Sequence, residues 1–241
     1  MDVDFRGVSY SIGARAILND LSFTVRAGET LVLLGASGSG KTTALKMVNA
    51  MLYPTRGEVI VGGESTAKWN PIALRRKIGY VIQEGGLFPH MTVAANIGIV
   101  PRLENWDAGR VRERVDSVLN DVQMPPTEYA SRSPRELSGG QRQRVGVARA
   151  LAAGPGLLLF DEPFGALDPI TRLEQQRQFL ALRERYRTTS LFVTHDVGEA
   201  LRLGTQVALL HSGKLQALAP PSEFRRLDNP YVKEFLACLE T

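Results

Sequence analysis

A glycine-rich segment near the N-terminus, GASGSGKTT at residues 35–43, has the residue types that bind a nucleotide phosphate. Its glycines permit backbone conformations that a side chain would block, so that consecutive amides can approach phosphate oxygens. Lys41 can reach the β- and γ-phosphates, and Thr42 can place its hydroxyl on Mg²⁺. The segment follows an apolar run and opens a predicted helix, whose N-terminus favours anions. The sequence therefore predicts ATP-type nucleotide binding by Gly35, Ala36, Ser37, Gly38, Ser39, Gly40, Lys41, Thr42 and Thr43.

An acidic pair ends a second apolar run, in LLLFDEP at residues 157–163. The carboxyl ends of strands in an open parallel sheet form the ligand crevice, and opposite pleats would separate the two side chains. We expect Asp161 to hold Mg²⁺ through a coordinated water. Glu162 would act as the general base, or orient the water that attacks the γ-phosphate. A solvated acidic turn is the alternative, which the phosphate loop disfavours.

Two further polar residues end predicted strands, Gln83 after IGYVI and His195 after SLFVT. We expect Gln83 to contact Mg²⁺ and the attacking water. His195 would contact the γ-phosphate and stabilise the transition state. A single histidine at a strand end can equally be structural, so the residues alone leave the role of His195 open.

A second anion site is predicted in ELSGGQRQRVGVARA, residues 136–150. Ser138 stands where an N-cap belongs, Gly139 and Gly140 leave backbone amides uncovered, and we expect a helix from Gln141. An ordinary capped helix is the alternative. Because the chain already has a phosphate loop, a second γ-phosphate site would serve another molecule.

The elements that position these residues follow from hydrophobic periodicity. Four apolar runs, at residues 30–36, 157–160, 190–195 and 206–213, alternate with helical stretches, which is typical of an α/β fold with a parallel sheet. Glycine-punctuated alternating segments near the N-terminus predict a small antiparallel sheet. We expect one domain, with core and small sheet at 1–83 and 155–219, an inserted helical lobe at 84–154 and two short helices at 220–241.

Composition excludes several classes of protein. The 241 residues are 44% apolar, and no run approaches the roughly 18 apolar residues that span a bilayer. The N-terminus does not resemble a signal peptide, and the single cysteine, Cys238, favours a reducing cytosol. The basic runs lack interleaved aromatic residues, so we expect no nucleic-acid partner.

These motifs resemble, in order and spacing, the ATP-binding subunits of ATP-binding cassette (ABC) transporters. The resemblance covers essentially the whole chain, through GASGSGKT, Gln83, LSGGQ, LLLFDE, GALD (residues 165–168) and His195. It implies a P-loop NTPase with a RecA-like core, a β subdomain and a helical subdomain. It also implies a head-to-tail dimer, with an identical or a second ABC subunit, that sandwiches two ATP molecules. In that dimer Ser138, Gly139, Gly140, Gln141 and Asp168 would act across the interface.

The resemblance assigns roles to further residues. Tyr10 would stack on adenine, although packing in the small sheet is a rival interpretation. Asp168 would link the two sites of the dimer, and it can also cap the helix that begins at Pro169. The segment after Gln83 would contact a coupling helix of an integral membrane permease through Leu87, Phe88 and Met91. The alternative is that these three residues belong to the core of the helical lobe.

Longer stretches resemble the ATPase subunits of importers for quaternary amine osmoprotectants such as glycine betaine, choline and carnitine. The resemblance implies a peripheral location at the cytoplasmic face of the membrane and, indirectly, an extracytoplasmic solute-binding protein. Import of another small solute such as an amino acid is the main alternative. A DNA-repair or translation ATPase, an exporter and a P-loop kinase fit less well. Many relatives carry nucleotide-sensing repeats after the core, which we do not expect here, and QEGG (residues 83–86) departs from the usual QQIG.

Overall fold

The computed structural model describes residues 1–83 and 86–237. The strands in chain order are β1 (Val3–Ile12), β2 (Arg15–Val25), β3 (Thr30–Leu34), β4 (Arg56–Val61), β5 (Glu64–Ser65), β6 (Ile78–Val81), β7 (Leu157–Asp161), β8 (Thr189–Thr194), β9 (Gln206–His211) and β10 (Lys214–Ala219). The helices are α1 (Lys41–Val48), α2 (Pro71–Arg76), α3 (Val93–Ile97), α4 (Ile99–Leu103), α5 (Ala108–Asp121), α6 (Pro126–Tyr129), α7 (Gly139–Ala152), α8 (Pro169–Tyr186), α9 (Val197–Leu203), α10 (Pro221–Phe224) and α11 (Pro230–Ala237), with a 3₁₀ turn at Pro134–Glu136.

The chain forms two compact units. The first unit comprises Met1–Arg75 and the chain from Arg187 onward, and the second unit is Arg76–Tyr186. The predicted bounds of the helical lobe, 84–154, stay a prediction, since the second unit also contains strands β6 and β7.

The first unit contains the predicted antiparallel sheet, in the order β2-β1-β4-β5. Buried and more exposed side chains alternate at the start of β1, because one face of the sheet is buried. Val3 and Phe5 of β1 are buried, and Phe5 stacks on Phe23 of β2 with ring centroids 4.4 Å apart. The expectation of a small antiparallel sheet is confirmed.

The first unit also contains parallel strands. Strand β3 lies between β8 and β9, both parallel to it, and β10 pairs antiparallel with β9. All five residues of β3 and all six of β8 are buried, as expected for strands that are covered on both faces. The α/β expectation is confirmed, and this sheet carries the phosphate loop at the end of β3.

The second unit pairs β6 with β7 in parallel and packs helices around them. Helix α5 is capped by Asp107, whose carboxylate accepts from the Arg110 amide at 2.9 Å, and its buried valines, Val111, Val115 and Val118, recur at helical spacing. Helix α8 begins at Pro169, as predicted, and ends at Tyr186.

The C-terminal segment contains two short helices, α10 and α11, and residues 225–229 separate them. Cys238 lies outside the described residues. Across residues 1–83 and 86–237, no helix has the length and apolar character that crossing a membrane requires.

Candidate functional site

The phosphate loop of the first unit is closed around its own lysine. Lys41 Nζ donates to the carbonyl oxygens of Gly35 and Ala36 at 2.8 and 2.9 Å, and it lies 3.5 Å from Ser39 Oγ. The lysine is 4% exposed, so oxygens of the loop replace water around its charge. This arrangement holds a positive charge inside the loop, which is the chemistry that binds a phosphate.

Tight packing explains why the loop needs glycine. Gly40 caps α1 with φ of 102°, and a Cβ there would lie 2.6 Å from Leu18 Cδ2. At Gly35 a Cβ would lie 2.3 Å from the carbonyl oxygen of Leu210. The crest at residues 36–38 is exposed, whereas Thr42 and Thr43 are half-buried in the first turn of α1. Strands β2 and β9 therefore support the loop from behind and leave its crest open to a ligand.

His195 lies at the same edge of the sheet as the phosphate loop. Strands β3 and β8 are in parallel register with Leu34 opposite Thr194, so Gly35 and His195 each follow directly after neighbouring strand ends. The His195 side chain is exposed. The structure thus brings His195 to the edge that carries the phosphate loop, as the strand-end argument predicted.

Tyr10 lies in the small sheet of the first unit. It is half-buried in β1 opposite Leu18, where the pairing of β1 with β2 shifts register. Ile12, two residues later, is 64% exposed at the end of the strand. Packing in the sheet accounts for part of the surroundings of Tyr10, and stacking on adenine stays a prediction.

In the second unit, the acidic pair leaves strand β7 in an unexpected way. Asp161 is the last residue of the strand, whereas Glu162 has φ of 47°, in the left-handed region. The expectation that opposite pleats separate the two side chains is therefore wrong, because the chain turns at Glu162 instead of continuing extended. A residue with a Cβ adopts this conformation at a cost of about 1 kcal/mol. Such strain recurs at functional sites, but in the described residues it also occurs at six other non-glycine positions.

Gln83 and Glu162 approach the same small space. Gln83 lies two residues beyond β6 instead of ending it, because the pairing of β6 with β7 stops at Val81 and Phe160. A Cβ built on Gly165 would lie 3.3 Å from Gln83 Nε2 and 3.9 Å from Glu162 Oε2. The structure thus brings these two candidates together over a glycine that has no side chain to separate them.

Sequence reasoning missed Tyr80, which contacts the other carboxylate. Its hydroxyl donates to Asp161 Oδ2 at 3.2 Å. Burial and then the negative charge of Asp161 raise the pKa of the Tyr80 phenol. The phenol is therefore protonated at neutral pH and remains a hydrogen-bond donor.

The predicted second anion site is a capped helix N-terminus. Ser138 Oγ accepts from the Gln141 amide at 3.2 Å, and Gln141 Oε1 accepts from the Ser138 amide at 2.9 Å. The N-cap prediction for Ser138 is confirmed. The predicted start at Gln141 is wrong, because this capping box draws Gly139 and Gly140 into the first turn of α7. The first amides of a helix have no intrahelical acceptor, so this terminus retains a partial positive charge.

Asp168 has the capping role that the sequence allowed. Its Oδ1 accepts from the amides of Ile170 and Thr171, both at 3.1 Å, at the start of α8. Hydrogen bonds from Thr171, through its side chain and its backbone, lower the pKa of the Asp168 carboxyl. A role across a dimer stays a prediction.

The helical part of the second unit has a groove of about 720 Å³. Its lining residues are Thr92, Ala94, Arg102, Trp106, Ala108, Val111, Arg112, Val115, Asp116, Ala130 and Ser131. The predicted coupling residues Leu87, Phe88 and Met91 do not line this groove but precede it in the chain. Phe88 is 45% exposed, while Leu87 and Met91 are half-buried. The groove and these three residues are therefore separate features.

Asn96 fixes the loop that carries the predicted coupling residues. Its side chain is fully buried, and Oδ1 accepts from the Phe88 amide at 2.7 Å. Nδ2 contacts the carbonyl oxygens of Phe88, Met91 and Thr92 at 3.1, 3.2 and 3.0 Å. In the sequence, Asn96 is a single asparagine on the apolar face of a short helix. This position could have predicted its buried role, but the sequence analysis did not use it.

Arg149 joins the helix of the second anion site to the segment after Gln83. It lies in α7 and donates from NH1 to the Gly86 carbonyl at 2.7 Å. Burial lowers the pKa of the Arg149 guanidinium, which nevertheless stays charged at neutral pH.

The candidate metal ligands are the oxygen donors of Thr42, Gln83 and Asp161. No three His, Cys, Asp or Glu side chains within residues 1–83 and 86–237 gather in a cluster that could hold a metal ion. The candidate donors Thr42, Gln83 and Asp161 offer hydroxyl, amide and carboxylate oxygens. Mg²⁺ prefers such hard oxygens, and in nucleotide sites the substrate phosphates and water supply most of its ligands. The donor chemistry therefore fits Mg²⁺.

Comparison with known proteins gives consistent results. A family model described as ABC transporter matches residues 18–165. The glycine betaine/carnitine/choline transport ATP-binding protein OpuCA of Bacillus subtilis (strain 168) is 46% identical over 225 residues, which cover 93% of this chain and 59% of that protein. The glycine betaine uptake system ATP-binding protein YehX of Escherichia coli (strain K12) is 43% identical over 234 residues, which cover 97% of this chain and 76% of that protein.

A solved structure agrees with these relatives. The ATP-binding cassette MJ0796, in a dimeric post-hydrolysis state bound to ADP and phosphate, matches with a TM-score of 0.80 at 30% identity, over 91% of this chain and 98% of that one. The fold prediction is thus confirmed. This chain spans 59% of the length of OpuCA. With a family model that covers more than half of its length, the chain belongs to the ABC transporter family as one of its ATP-binding proteins.

Proposed function

We propose that this chain is the ATP-hydrolysing subunit of an importer for quaternary amine osmoprotectants of the glycine betaine, choline or carnitine type. The observation that carries the proposal is the similarity to OpuCA and YehX across nearly the whole chain. The phosphate loop and the acidic pair supply the chemistry that such a subunit needs.

Binding of ATP would begin at the phosphate loop. Lys41 would exchange its contacts with the Gly35 and Ala36 carbonyl oxygens for phosphate oxygens, since an anion is a stronger partner for the ammonium than a neutral carbonyl. Thr42, Gln83 and Asp161 would hold Mg²⁺, Asp161 through a water. The ion, when bound, supplies positive charge that balances the β- and γ-phosphates. Tyr10 would contact the adenine ring.

Hydrolysis would depend on three side chains of this chain. Glu162 would accept a proton from the attacking water or orient it, with Gln83 beside it over Gly165. His195 would donate toward the γ-phosphate, where charge is redistributed in the transition state. The closeness of Glu162 Oε2 and Gln83 Nε2 to the same position over Gly165 supports this assignment.

We infer that the complete site needs a second subunit. The α7 N-terminus, with Ser138, Gly139, Gly140 and Gln141, would bind the γ-phosphate of the ATP held by the partner, and Asp168 would lie at the same interface. The dimeric state of the related cassette MJ0796 supports this arrangement.

A membrane permease is the further partner that the proposal requires. The loop with Leu87, Phe88 and Met91, which Asn96 fixes, and the neighbouring groove in the helical part are the surfaces that we assign to its coupling helix. The chain would then work at the cytoplasmic face of the membrane, with a solute-binding protein on the opposite side.

The proposal is tested by copurifying the chain with its permease and binding protein and reconstituting them in proteoliposomes that contain ATP. Glycine betaine, choline, carnitine and glutamine are offered separately, and uptake is measured with and without ATP. We expect ATP-dependent uptake of at least one quaternary amine. Uptake of glutamine alone would favour the amino-acid importer, and failure to copurify with a permease would contradict the transport function.

A further inference from the structure

Tyr80 and Asp161 lie on neighbouring parallel strands of the second unit and on the same face of the sheet. The register pairs Tyr80 with Leu159, and Asp161 is two residues further along β7. Because strand side chains alternate with a period of two, Asp161 shares the face of Leu159 and hence of Tyr80. The phenol oxygen lies 3.2 Å from Asp161 Oδ2 as a result.

The preceding residue fixes which way Tyr80 points. Gly79 faces the opposite side, where a Cβ would lie 2.5 Å from the carbonyl oxygen of Ala150 in α7. A shift of the register by one residue would exchange the two faces and drive the phenol into this helix. The packing of α7 on β6 therefore holds the Tyr80 side chain on the face of Asp161.

The contact suits orientation more than stability. The terminal torsion of an aspartate is broad, so an unsupported carboxylate samples many planes. At 3.2 Å the hydrogen bond is longer than the usual hydroxyl contact of about 2.7 Å, so we expect a modest energy from it. A carboxylate has about four acceptor positions, and the phenol uses one of them.

A second phenol–carboxylate pair in the same unit gives a reference. The Tyr186 hydroxyl donates to Asp121 Oδ2, and Arg185 NH1 contacts Asp121 Oδ1 at 2.7 Å. The Asp121 side chain is 4% exposed, so both of its oxygens are enclosed by protein. The Asp121 carboxylate is thus enclosed, whereas Asp161 is only partly buried at the end of its strand.

We propose that Tyr80 is a positioning residue, which holds the carboxylate of Asp161 in the plane that accepts a hydrogen bond from Mg²⁺-bound water. This inference rests on the proposed function, because it takes Asp161 as the carboxylate of the nucleotide site. Residues that orient a metal-site ligand from behind typically change metal affinity 10- to 100-fold when they are removed. Since Asp161 acts through water, the lower end of that range applies.

The test compares Tyr80→Phe with Tyr186→Phe in the full chain. Calorimetry measures the affinity for a non-hydrolysable ATP analogue in the presence of Mg²⁺ and in EDTA, and the ratio of the two affinities is the magnesium enhancement. We expect Tyr80→Phe to reduce this enhancement about tenfold, while its affinity in EDTA stays within about twofold of the wild type. Tyr186→Phe should leave both affinities unchanged. Preserved binding in EDTA shows in the same sample that the variant is folded.

The variant Asp161→Asn distinguishes failure of the positioning role from failure of the proposed nucleotide site. If Asp161→Asn loses the enhancement and Tyr80→Phe keeps it, the positioning role is wrong and the proposed function stands. If Asp161→Asn also keeps it, the assignment of the nucleotide site itself fails. The double variant should match Asp161→Asn, because Tyr80 acts through that carboxylate. An additional loss in the double variant would overturn the inference.

Discussion

The two helix N-termini that the sequence assigns to phosphate binding are built differently. Helix α1 is capped by Gly40 with no side-chain hydrogen bond, and Lys41 folds into the loop before it. Helix α7 is capped by Ser138 and Gln141, which satisfy each other in a capping box. The first terminus leaves its cap to backbone and ligand, whereas the second is stabilised by its own side chains.

This difference suggests a division of roles. At the first terminus, Lys41 would exchange its contacts with the loop carbonyls for phosphate oxygens when a phosphate binds. A terminus with a complete capping box is formed before any ligand arrives and can be presented to another subunit. We therefore expect variants at the two termini to separate binding by the single chain from hydrolysis by the dimer.

The largest effect is expected from Glu162→Gln, which retains both termini. Loss of the base should lower hydrolysis about 1000-fold while ATP affinity is preserved. The variant should accumulate as an ATP-bound dimer, in which the α1 terminus of one subunit and the α7 terminus of the other would face the same nucleotide. Phosphate release and light scattering measure these two effects, and Glu184→Gln on exposed helix surface is the control. Wild-type turnover in Glu162→Gln would contradict the role of Glu162.

Ser138→Arg should affect hydrolysis without affecting binding by the monomer. A long cation at the α7 N-terminus would exclude the partner's γ-phosphate, so we expect about a 100-fold loss of turnover. Titration of a fluorescent ATP analogue at low protein concentration should give the wild-type affinity. Ser222→Arg, at an exposed serine in the first turn of α10, is the control. A loss of affinity in the monomer would show that α7 serves the nucleotide of its own chain.

Lys41→Ala should weaken nucleotide binding by the monomer, which Ser138→Arg should leave unchanged. Removal of the charge from the phosphate loop should weaken ATP binding by the monomer about 30-fold, the size expected for charge-assisted hydrogen bonds. The same titration measures it, with Lys46→Ala in the last turn of α1 as the control. Equal losses in both variants would indicate a general effect of positive charge and not a role of the loop.

The smallest effect is expected from loss of the cap alone. Ser138→Ala and Asp107→Ala each remove a side-chain N-cap in the second unit and should each cost about 1 kcal/mol of unfolding free energy. Urea denaturation measures this cost. Turnover by the dimer should fall for Ser138→Ala and stay unchanged for Asp107→Ala. Equal turnover in both variants would show that Ser138 only caps its helix.

Local patterns predicted much of the fold. The four apolar runs became β3, β7, β8 and β9, and helix α8 begins at Pro169 as its sequence suggested. Ser138 was identified as a cap because capping is an interaction between residues three positions apart. The start of α7 was misplaced, since the pattern showed two glycines but not whether the helix would include them.

The sequence by itself determined the residue types and spacings of the phosphate loop, the acidic pair and the LSGGQ segment, because glycine conformations, caps and strand ends depend on neighbours along the chain. Only the tertiary structure decided that Gln83 and Glu162 share the space over Gly165, and that Tyr80 donates to Asp161. These contacts join residues about 80 positions apart. They depend on which strands pair and in which register, and register is set by packing on both faces of the sheet, which no local pattern contains.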